Sequence, residues 1–328
     1  MTEAAIRVGL NYDMRAYPGG TEPVELYRAA IEQCGWADDR GFHSVTLSEH
    51  HGAADGYLPS PIVLGAAIGG VTQRLLIQLS VVLLPLYHPV RLAEDLAVLD
   101  LVCAGRMRLI VAAGYRADEY RQFGLDIRHR PSLMETGIEV LKQAWTGEPF
   151  EHDGHPVHVT PRPAQRPRPS ITLGGASPAT ARRAARVADD YQPLAGRLYE
   201  LYLDELDALG HPRPPAKPPI GGGPQFVHVS DDPERDWARI APHALHESNS
   251  YAEWAAGARG SVYAAADDAD ELRTSGRYQV LTPDEAVALA RDRRALTLKP
   301  LMGGMPPDLG WEGLELAASA VLPRLENP

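Results

Sequence analysis

A carboxylate and two imidazoles follow directly on a short apolar run near residue 50. The run 45–47 alternates as a β-strand does, and Glu49, His50 and His51 come just after it. Imidazole gains and loses a proton near neutral pH, so His50 is a candidate acid, base or hydrogen-bond donor toward a bound ligand. Structural histidines, satisfied by the neighbouring backbone, are the alternative interpretation.

The same stretch has a third interpretation, a metal site, because imidazole and carboxylate ligands suit Zn²⁺ or Fe²⁺. Adjacent side chains on a strand point to opposite faces, so His50 and His51 cannot easily share one ion. No further His or Asp follows at ligand spacing on a neighbouring strand tip. We therefore predict that no metal binds here.

A second candidate site is the turn after the predicted strand 170–175. In "LGGASPATARR", Ser177 stands where a helix N-cap is expected and Pro178 at the first helical position. A helix N-terminus exposes unpaired N–H groups and a partial positive charge, which together bind phosphate, and glycine lets a ligand approach the backbone. An ordinary capped turn is the alternative. The predicted phosphate site comprises Gly174, Gly175, Ala176, Ser177, Pro178, Ala179 and Thr180, with Arg130 of the basic stretch 128–131 within reach.

The elements that must position these residues alternate along the whole chain. Apolar, β-branched runs are separated by segments in which apolar residues recur at helical spacing. The eight predicted strands lie at 6–12, 44–50, 75–84, 107–114, 170–175, 189–194, 225–230 and 295–304. Near-continuous apolar strands are typical of a parallel sheet covered on both faces, and eight such units predict a (β/α)₈ TIM barrel. A doubly wound open sheet is the alternative, but the turn after the first strand lacks its glycine-rich phosphate loop.

We predict a single α/β domain over residues 1–328. The stretch 243–280 lies between the seventh and eighth predicted strands and is long for a connection. Its small and aromatic residues favour an insertion that acts as a lid. The active sites of such barrels lie at the carboxyl ends of the strands, so the predicted site residues converge there.

Composition limits the possible partners. The formal net charge is −11 and the chain has no run of Lys or Arg, which argues against binding to nucleic acid. The longest apolar run, 75–86, is interrupted and too short to span a bilayer, and the N-terminus has no signal-peptide pattern. The two cysteines lack metal or redox spacing. We therefore expect a cytoplasmic protein that binds neither nucleic acid nor membrane.

Three stretches together resemble the bacterial luciferase-like flavin monooxygenases: "SVTLSEHH", "LPLYHPVRLAEDLAVLDLVCAGRMRLIVAAGYRADEYRQFG" and "LGGASPATARRAARVAD". The resemblance runs over essentially the whole chain in order and spacing. It implies a (β/α)₈ barrel with a mobile insertion after the seventh strand. It also implies reduced FMN, or in some branches the deazaflavin coenzyme, across the strand tips with its phosphate near residues 174–180.

The resemblance assigns roles to individual residues. His50 matches the active-site histidine of the family. Ser80 and Val81 match a position where the family often carries a non-prolyl cis peptide beneath the flavin ring. The strand-four tip that lines the flavin is matched by Ala112, Ala113, Gly114 and Tyr115.

Two positions depart from the family. Luciferase has a cysteine and then an arginine where this chain has Ala112 and Ala113, so the phosphate contact of that arginine is missing. The family arginine before the next helix falls on Pro131, one residue from Arg130. We expect Arg130 to reach the phosphate in its place.

The resemblance also implies the reaction. Reduced flavin reacts with O₂ to give a C(4a)-hydroperoxide, which oxygenates a substrate when a lid and apolar walls exclude water. The expected enzyme is an FMN-dependent monooxygenase in which His50 gives or takes a proton. We expect a separate flavin reductase to supply the reduced FMN, and we expect the protein to be a homodimer. Hydride transfer through the deazaflavin coenzyme is the alternative, although the "EHH" tip favours FMN, and a non-catalytic partner subunit is a third class, against which His50 argues.

The substrate pocket can be predicted only in outline. No Arg or Lys occupies a predicted strand tip, so a small, neutral organic substrate is favoured over a carboxylate. The predicted lining residues are Tyr12, His51, Tyr57, Leu58, Gln192 and Trp311.

Overall fold

The computed structural model describes residues 6–215, 218, 223–255 and 265–326. The strands in these ranges are β1 Arg7–Tyr12, β2 Ser44–Leu47, β3 Leu76–Val82, β4 Met107–Val111, β5 Phe150–His152, β6 His155–Val157, β7 Ile171–Gly175, β8 Asp190–Pro193, β9 Phe226–Val229, β10 Tyr278–Leu281 and β11 Ala295–Leu298. The helices are α1 Pro23–Asp38, α2 Pro61–Val71, α3 Pro89–Val102, α4 Ala117–Gln122, α5 Arg130–Ala144, α6 Pro178–Val187, α7 Gly196–Leu209, α8 Pro233–Trp254, α9 Ala269–Thr274, α10 Pro283–Arg293, α11 Pro307–Leu316 and α12 Leu322–Glu326.

Seven strands form one parallel, curled sheet in the order β11–β1–β2–β3–β4–β7–β8. A second parallel ladder pairs β9 with β10, and β9 also packs against β11. The strands β5 and β6 form an antiparallel hairpin. The predicted α/β architecture with a parallel sheet and covering helices is confirmed.

All eight predicted barrel strands are present, as β1, β2, β3, β4, β7, β8, β9 and β11. Within the described ranges, no ladder joins β8 to β9 or β9 to β11, so the hydrogen bonding of the sheet is not continuous around a barrel. The predicted insertion 243–280 begins inside α8, includes α9 and ends in β10. Regular structure therefore occupies much of it, and residues 256–264 lie outside the described part.

The apolar face of the sheet is covered by helices. Leu47 of β2 is fully buried on that face. A Cβ at Gly65 of α2 would lie 3.3 Å from Cγ2 of Ile77 in β3, so the helix packs closely on the sheet at this point. Side chains alternate along β2, and Thr46 therefore points inward, where it accepts a hydrogen bond from Gln78 at 3.2 Å.

The parallel strands bring their carboxyl ends to one edge of the sheet, which we call the mouth. The neighbours β11, β1 and β2 bring residues 13–15, 49–51 and 299 together. The neighbours β3, β4 and β7 bring residues 80–81, 112–115 and 174–180 together. None of the helices in the described ranges is both long and apolar enough to cross a membrane.

Candidate active site

The two histidines at the tip of β2 are bonded to different carboxylates. His50 Nδ1 lies 2.8 Å from Glu119 Oε1, and His51 Nε2 lies 2.7 Å from Glu49 Oε1. All four residues are buried, and none is more than 8% exposed. The two imidazoles are thus bonded to separate carboxylates, although both residues lie beyond the end of β2 at Leu47. In the part of the chain that the structure describes, no group of three His, Cys, Asp or Glu side chains could hold a metal ion.

These hydrogen bonds determine which nitrogen of each ring carries the proton. A carboxylate only accepts, so the Nδ1–H of His50 donates to Glu119 and leaves Nε2 as the basic nitrogen. His51 has the opposite arrangement, because its Nε2–H donates to Glu49. Burial raises the pKa of the Glu49 carboxyl, although the bonds from His51 and from the backbone N–H of Leu83 oppose this shift.

Glu119 was not predicted from the sequence. It lies in α4, just beyond the tip of β4, and its Oε1 also accepts the backbone N–H of His51 at 3.0 Å. Arg116 Nη1 lies 3.6 Å from the same oxygen, whereas the buried Oε2 has no hydrogen-bond partner among the described residues. The available signal was an acidic residue in the first turn of a helix. Many helices carry one there because of the helix dipole, so this signal does not single out Glu119.

Four aromatic rings enclose the ring of His50. The ring centroids lie 4.9 Å away for Tyr57, 5.7 Å for Tyr115, 6.3 Å for Tyr251 and 5.0 Å for Trp254. The hydroxyls of Tyr57 and Tyr251 are 2.8 Å apart and share a hydrogen bond. Tyr251 and Trp254 belong to the last turn of α8, so this helix end covers the tip of β2. We call these four rings the aromatic wall.

Five charged side chains, none more than 10% exposed, lie together beside the aromatic wall, near the tips of β1 and β11. Arg15 Nε lies 3.4 Å from Asp13 Oδ2, and Arg15 Nη1 lies 3.5 Å from Asp55 Oδ2. Lys299 Nζ forms an ion pair with Glu247 of α8 and lies 3.7 Å from Asp13 Oδ2. We call these residues the charge cluster. The prediction that no Arg or Lys occupies a strand tip is wrong. Lys299 directly follows β11, and Arg15 lies in the loop after β1, beside the same Asp13.

Burial and pairing act together on the charge cluster. Burial opposes ionisation of Asp55, but the bond from His246 at 3.0 Å and the charge of Arg15 leave the pKa of Asp55 below its ordinary value. Burial raises the pKa of Glu247 against the opposing effect of Lys299. Burial also disfavours the charged form of Arg15, yet the neighbouring carboxylates outweigh it and the pKa of Arg15 is raised. Arg15 therefore stays charged.

The tips of β3, β4 and β7 carry small side chains instead. The Ser80–Val81 peptide is cis, as the resemblance implied. A Cβ at Gly174 would lie 3.4 Å from Cγ1 of Val81, so these tips are in contact. Ala112 and Ala113 are only partly buried. We call these five residues the small-residue platform.

Two further predicted flavin residues lie beside the platform. Gly114 has a φ of +68°, a backbone conformation that glycine adopts readily, and its carbonyl accepts a hydrogen bond from Arg130 Nη1 at 3.3 Å. Tyr115 is 41% exposed and packs against His50 as part of the aromatic wall. Arg130 is thus held at the strand-four tip, and its contact with a phosphate stays a prediction.

The turn before α6 has the predicted cap. Ser177 Oγ accepts the backbone N–H of Thr180 at 3.1 Å, and Pro178 is the first residue of the helix. A Cβ at Gly175 would lie 2.5 Å from Thr180 Cγ2, so the packing of the turn itself requires glycine there. The exposed residues of this turn are Ala176, Pro178 and Ala179.

Two of the predicted substrate residues lie away from the mouth. Tyr12 turns toward α1, where its hydroxyl donates to Gln33 Oε1 at 2.9 Å. Trp311 of α11 packs edge-on against Trp36 of α1, with ring centroids 5.4 Å apart. Both predictions are wrong, because alternation places Tyr12 on the helix-facing side of β1 and Trp311 belongs to the outer helix layer.

The other predicted substrate residues, Leu58 and Gln192, lie in the loop after β2 and on β8. The carbonyl of Leu58 accepts the backbone N–H of His50 at 3.2 Å, so this residue holds the loop after β2. Gln192 lies on the opposite side of β8 from Tyr191, which packs against α7, and it therefore faces the interior of the sheet. Contact of a substrate with Leu58, Gln192 or His51 stays a prediction.

The sequence pattern of the luciferase-like monooxygenases matches residues 7–295. This chain belongs to that family. The luciferase-like chain is 29% identical over 161 residues to the oxygenase component of the flavin-dependent trigonelline monooxygenase of Acinetobacter baylyi, over 47% of this chain and 44% of that protein. It is 31% identical over 220 residues to the F420-dependent glucose-6-phosphate dehydrogenase of Nakamurella multipartita, over 63% of this chain and 61% of that protein.

A solved structure shows the same fold. The oxygenating constituent of 3,6-diketocamphane monooxygenase from Pseudomonas putida, in complex with FMN, matches with a TM-score of 0.70 and 18% identity over 98% of this chain and 99% of that one. The luciferase-like chain spans about half the length of the curated relatives it matches. The predicted family is confirmed, and the chain is an enzyme of a family of monooxygenases and oxidoreductases.

Proposed function

We propose that this luciferase-like chain is a flavin-dependent monooxygenase that uses reduced FMN and O₂ to oxygenate a small, neutral organic substrate. The observation that carries the proposal is His50, an imidazole oriented by Glu119 at 2.8 Å and enclosed by the aromatic wall. Bound reduced FMN would supply the electrons for O₂ activation. The chain itself binds and orients, excludes water and moves a proton.

The platform side of the mouth fits a flavin mononucleotide. A planar ring needs a flat surface, and no side chain of the small-residue platform is larger than that of Val81. The phosphate needs hydrogen-bond donors. Pro178 has no N–H and the N–H of Thr180 bonds to Ser177 Oγ, so the turn would bind phosphate through the backbone N–H groups of Ser177 and Ala179. The platform would therefore hold the ring and the turn 176–180 the phosphate, with Arg130 adding positive charge.

His50 Nε2 is the atom that we assign to proton transfer. Glu119 engages the other ring nitrogen, so it acts as a positioning residue that orients the imidazole. Its charge also stabilises the imidazolium formed when Nε2 takes a proton. The aromatic wall keeps water from this edge of the ring, which favours transfer of oxygen to the substrate over side reactions.

Reduced FMN would come from a separate flavin reductase that binds transiently. The relative from A. baylyi is described as an oxygenase component, which supports this division of labour. Such a supply suits a reducing compartment. Cys34 and Cys103 are both free and buried, and we therefore place the protein in the cytoplasm.

We propose that the chain is one luciferase-like barrel domain whose described part of 243–280 acts as a lid. Tyr251 and Trp254 already cover His50 from the end of α8. Limited proteolysis checks this role. Cleavage within 243–280 should slow when FMN and a substrate are bound, and equal cleavage rates in both states would contradict a lid.

Hydride transfer through the deazaflavin coenzyme is the second candidate function. It is favoured by the 31% identity to an F420-dependent dehydrogenase. The same platform would hold the related ring system, and His50 would still exchange the proton. The two functions differ in O₂, which only the monooxygenase consumes together with its substrate.

One experiment separates the candidate functions. The purified protein is titrated without oxygen with reduced FMN and, separately, with the reduced deazaflavin coenzyme, and is then exposed to O₂ while oxygen and peroxide are recorded. We expect reduced FMN to be retained and its oxidation to differ in rate from that of free FMN. Retention of the deazaflavin coenzyme alone would support hydride transfer, and retention of neither would indicate a non-catalytic partner subunit.

We also propose that the protein is a homodimer formed through α2 and α3. α2 contains no charged residue, even on the side that faces away from the sheet. Exposed apolar patches rimmed by charge mark interfaces. The exposed apolar residues of these adjacent helices are Val63, Val71, Val98, Leu101 and Val102.

Light scattering tests the dimer. Val63→Lys should yield a monomer, because a charge would be buried in the contact. Val24→Lys is the matched control, since Val24 of α1 is 66% exposed against 69% for Val63 and lies outside the patch. A monomeric wild-type protein would contradict the proposal.

A further inference from the structure

Arg15 is the most deeply buried cation of the mouth. Its side chain is completely inaccessible to solvent and lies between Asp13, Asp55 and the carbonyl of Glu247, which Nη1 reaches at 3.5 Å. Its Nη2, equally buried, has no hydrogen-bond acceptor among the described residues. A buried donor without an acceptor is costly, so this atom needs an explanation.

Aromatic faces surround the guanidinium on the side of the mouth. Its Cζ lies 4.7 Å from the ring centroid of Tyr57, 4.3 Å from that of Tyr251 and 4.9 Å from that of Trp254. Aromatic ring faces attract a cation, but an N–H group bonds to a ring face more weakly than to an oxygen acceptor. Two of the three rings belong to the end of α8, so a ligand that approached Arg15 from this side would have to displace one helix end.

Arg15 and His50 share three rings, those of Tyr57, Tyr251 and Trp254, and two of them are close to both side chains. Tyr57 and Trp254 lie within 4.9 Å of Arg15 Cζ and within 5.0 Å of the His50 ring. A ligand that displaced Trp254 would therefore meet the guanidinium on one side and the imidazole on the other. Arg15 is placed to hold the ligand while His50 acts on it.

The charge cluster determines what kind of ligand fits. Asp13, Asp55 and Glu247 already oppose the two cations Arg15 and Lys299. An anionic ligand would bring a further negative charge to a site that has no excess of positive charge. A neutral oxygen acceptor needs no countercharge.

We propose that Arg15 Nη2 donates a hydrogen bond to a carbonyl-type oxygen of a neutral substrate, and so determines substrate specificity. The proposal rests on the proposed function, because it takes the region beside His50 as the substrate site. A guanidinium only donates, and a carbonyl oxygen only accepts, so this pairing leaves no O–H group buried without a partner. Lysine could not replace Arg15, because a single ammonium cannot serve Asp13, Asp55 and the ligand with the same planar geometry.

Equilibrium dialysis of three probes tests the proposal without flavin or turnover. Acetophenone carries a carbonyl, ethylbenzene is its near-isosteric hydrocarbon, and benzoate is the anion of similar size. We expect the wild-type protein to bind acetophenone at least tenfold more tightly than ethylbenzene, about 1.4 kcal/mol, and benzoate least tightly. No preference for acetophenone over ethylbenzene, or tighter binding of benzoate, would overturn the proposal.

Variants locate the effect at one residue. Arg15→Met should reduce the preference for acetophenone to within twofold while ethylbenzene binding changes little, and Arg15→Lys should behave similarly with its charge retained. Arg106→Gln is the control, since Arg106 is a partly buried arginine whose guanidinium bonds backbone carbonyls at the opposite end of the sheet. An unchanged preference in folded Arg15→Lys would overturn the assignment. Because dialysis involves no flavin, its outcome is independent of the flavin titration that tests the proposed function.

Discussion

The mouth of the sheet has two unlike halves. At the tips of β1, β2 and β11 it is filled with buried side chains, among them Arg15 at 0% exposure and His50 at 8%. At the tips of β3, β4 and β7 it carries the small-residue platform, and the adjoining Ala176 is exposed. The difference separates two tasks, because side chains that act on a substrate occupy one half and backbone suited to a cofactor occupies the other.

We call the half at the tips of β1, β2 and β11 the filled half, and the half at the tips of β3, β4 and β7 the bare half. Physical chemistry explains why they differ. Burying an ion costs several kcal/mol unless partners compensate it, so the filled half holds its charges in pairs such as Lys299–Glu247. A platform of small residues costs little to leave partly exposed, and it presents backbone groups to a ligand. Changes in the filled half should therefore affect chemistry, and changes in the bare half should affect cofactor binding.

The largest expected effect comes from removing the proton-transfer group of the filled half. His50→Ala should lower turnover by about 10²-fold or more, because general acid–base catalysis typically contributes ~10²–10⁴-fold. The dissociation constant for reduced FMN should change by no more than a few-fold. Peroxide released per reduced FMN consumed should rise. Steady-state rates, flavin titration and peroxide assays measure these three quantities.

His51→Ala is the control for this prediction. His51 is as buried as His50, at 7% against 8%, and has its own carboxylate partner. We expect a milder effect, mainly on substrate affinity. Loss of turnover in His51→Ala alone would assign proton transfer to His51 instead of His50. Full activity in both variants would show that both imidazoles are structural.

Glu119→Gln should have the next largest effect. The amide oxygen can still accept from His50 Nδ1 and from the backbone N–H of His51, but the negative charge is lost. Since that charge stabilises the imidazolium, turnover should fall about 10- to 100-fold, while the dissociation constant for reduced FMN should change by no more than a few-fold. Asp118→Asn is the control, because Asp118 is the neighbouring residue and half-exposed. Unchanged turnover in Glu119→Gln would reduce Glu119 to a packing role.

A substitution at Gly175 tests the bare half. Its effect should be smaller and should appear in the affinity for reduced FMN. Gly175→Ala should raise the dissociation constant for reduced FMN about tenfold and leave turnover at saturating FMN almost unchanged. Part of that loss would arise because the new Cβ meets Thr180 Cγ2 at 2.5 Å. The double variant Gly175→Ala/Thr180→Ser removes that methyl group. Full recovery of affinity would mean that glycine serves packing alone, and persistent loss would mean that the ligand approaches the backbone.

The smallest expected effect on function comes from Asp55, at the rim of the charge cluster. Its folded-state pKa lies below its ordinary value, so its carboxylate stabilises the fold above the unfolded-state pKa of about 3.9. That contribution disappears as the pH falls through the lower folded-state pKa. Asp55→Asn should cost about 1.5 kcal/mol at pH 7, and the difference should shrink below about pH 4. Urea unfolding at several pH values measures it, with exposed Asp39→Asn as the control, and a pH-independent difference would exclude this cause.

Much of the architecture could be predicted because it depends on local pattern. Apolar, β-branched runs separated by segments of helical spacing located all eight predicted strands, and the Ser-Pro pair located the start of α6. The position of His50 at a strand end followed from the same pattern. Prediction failed for Tyr12 and Trp311, because the direction of a side chain depends on which face of its element the rest of the fold covers.

The sequence by itself determined the family, the order of strands and helices, the capped turn before α6 and a histidine at the mouth. Only the tertiary structure decided which carboxylate orients that histidine, since Glu119 is 69 residues away in the chain. It also decided that Lys299 pairs with Glu247, 52 residues apart, and that Arg15 lies under rings from α8. Sequence spacing carries local periodicity, whereas contacts between distant segments depend on how the sheet and helices pack, and buried charges are compatible with the fold only once those contacts exist.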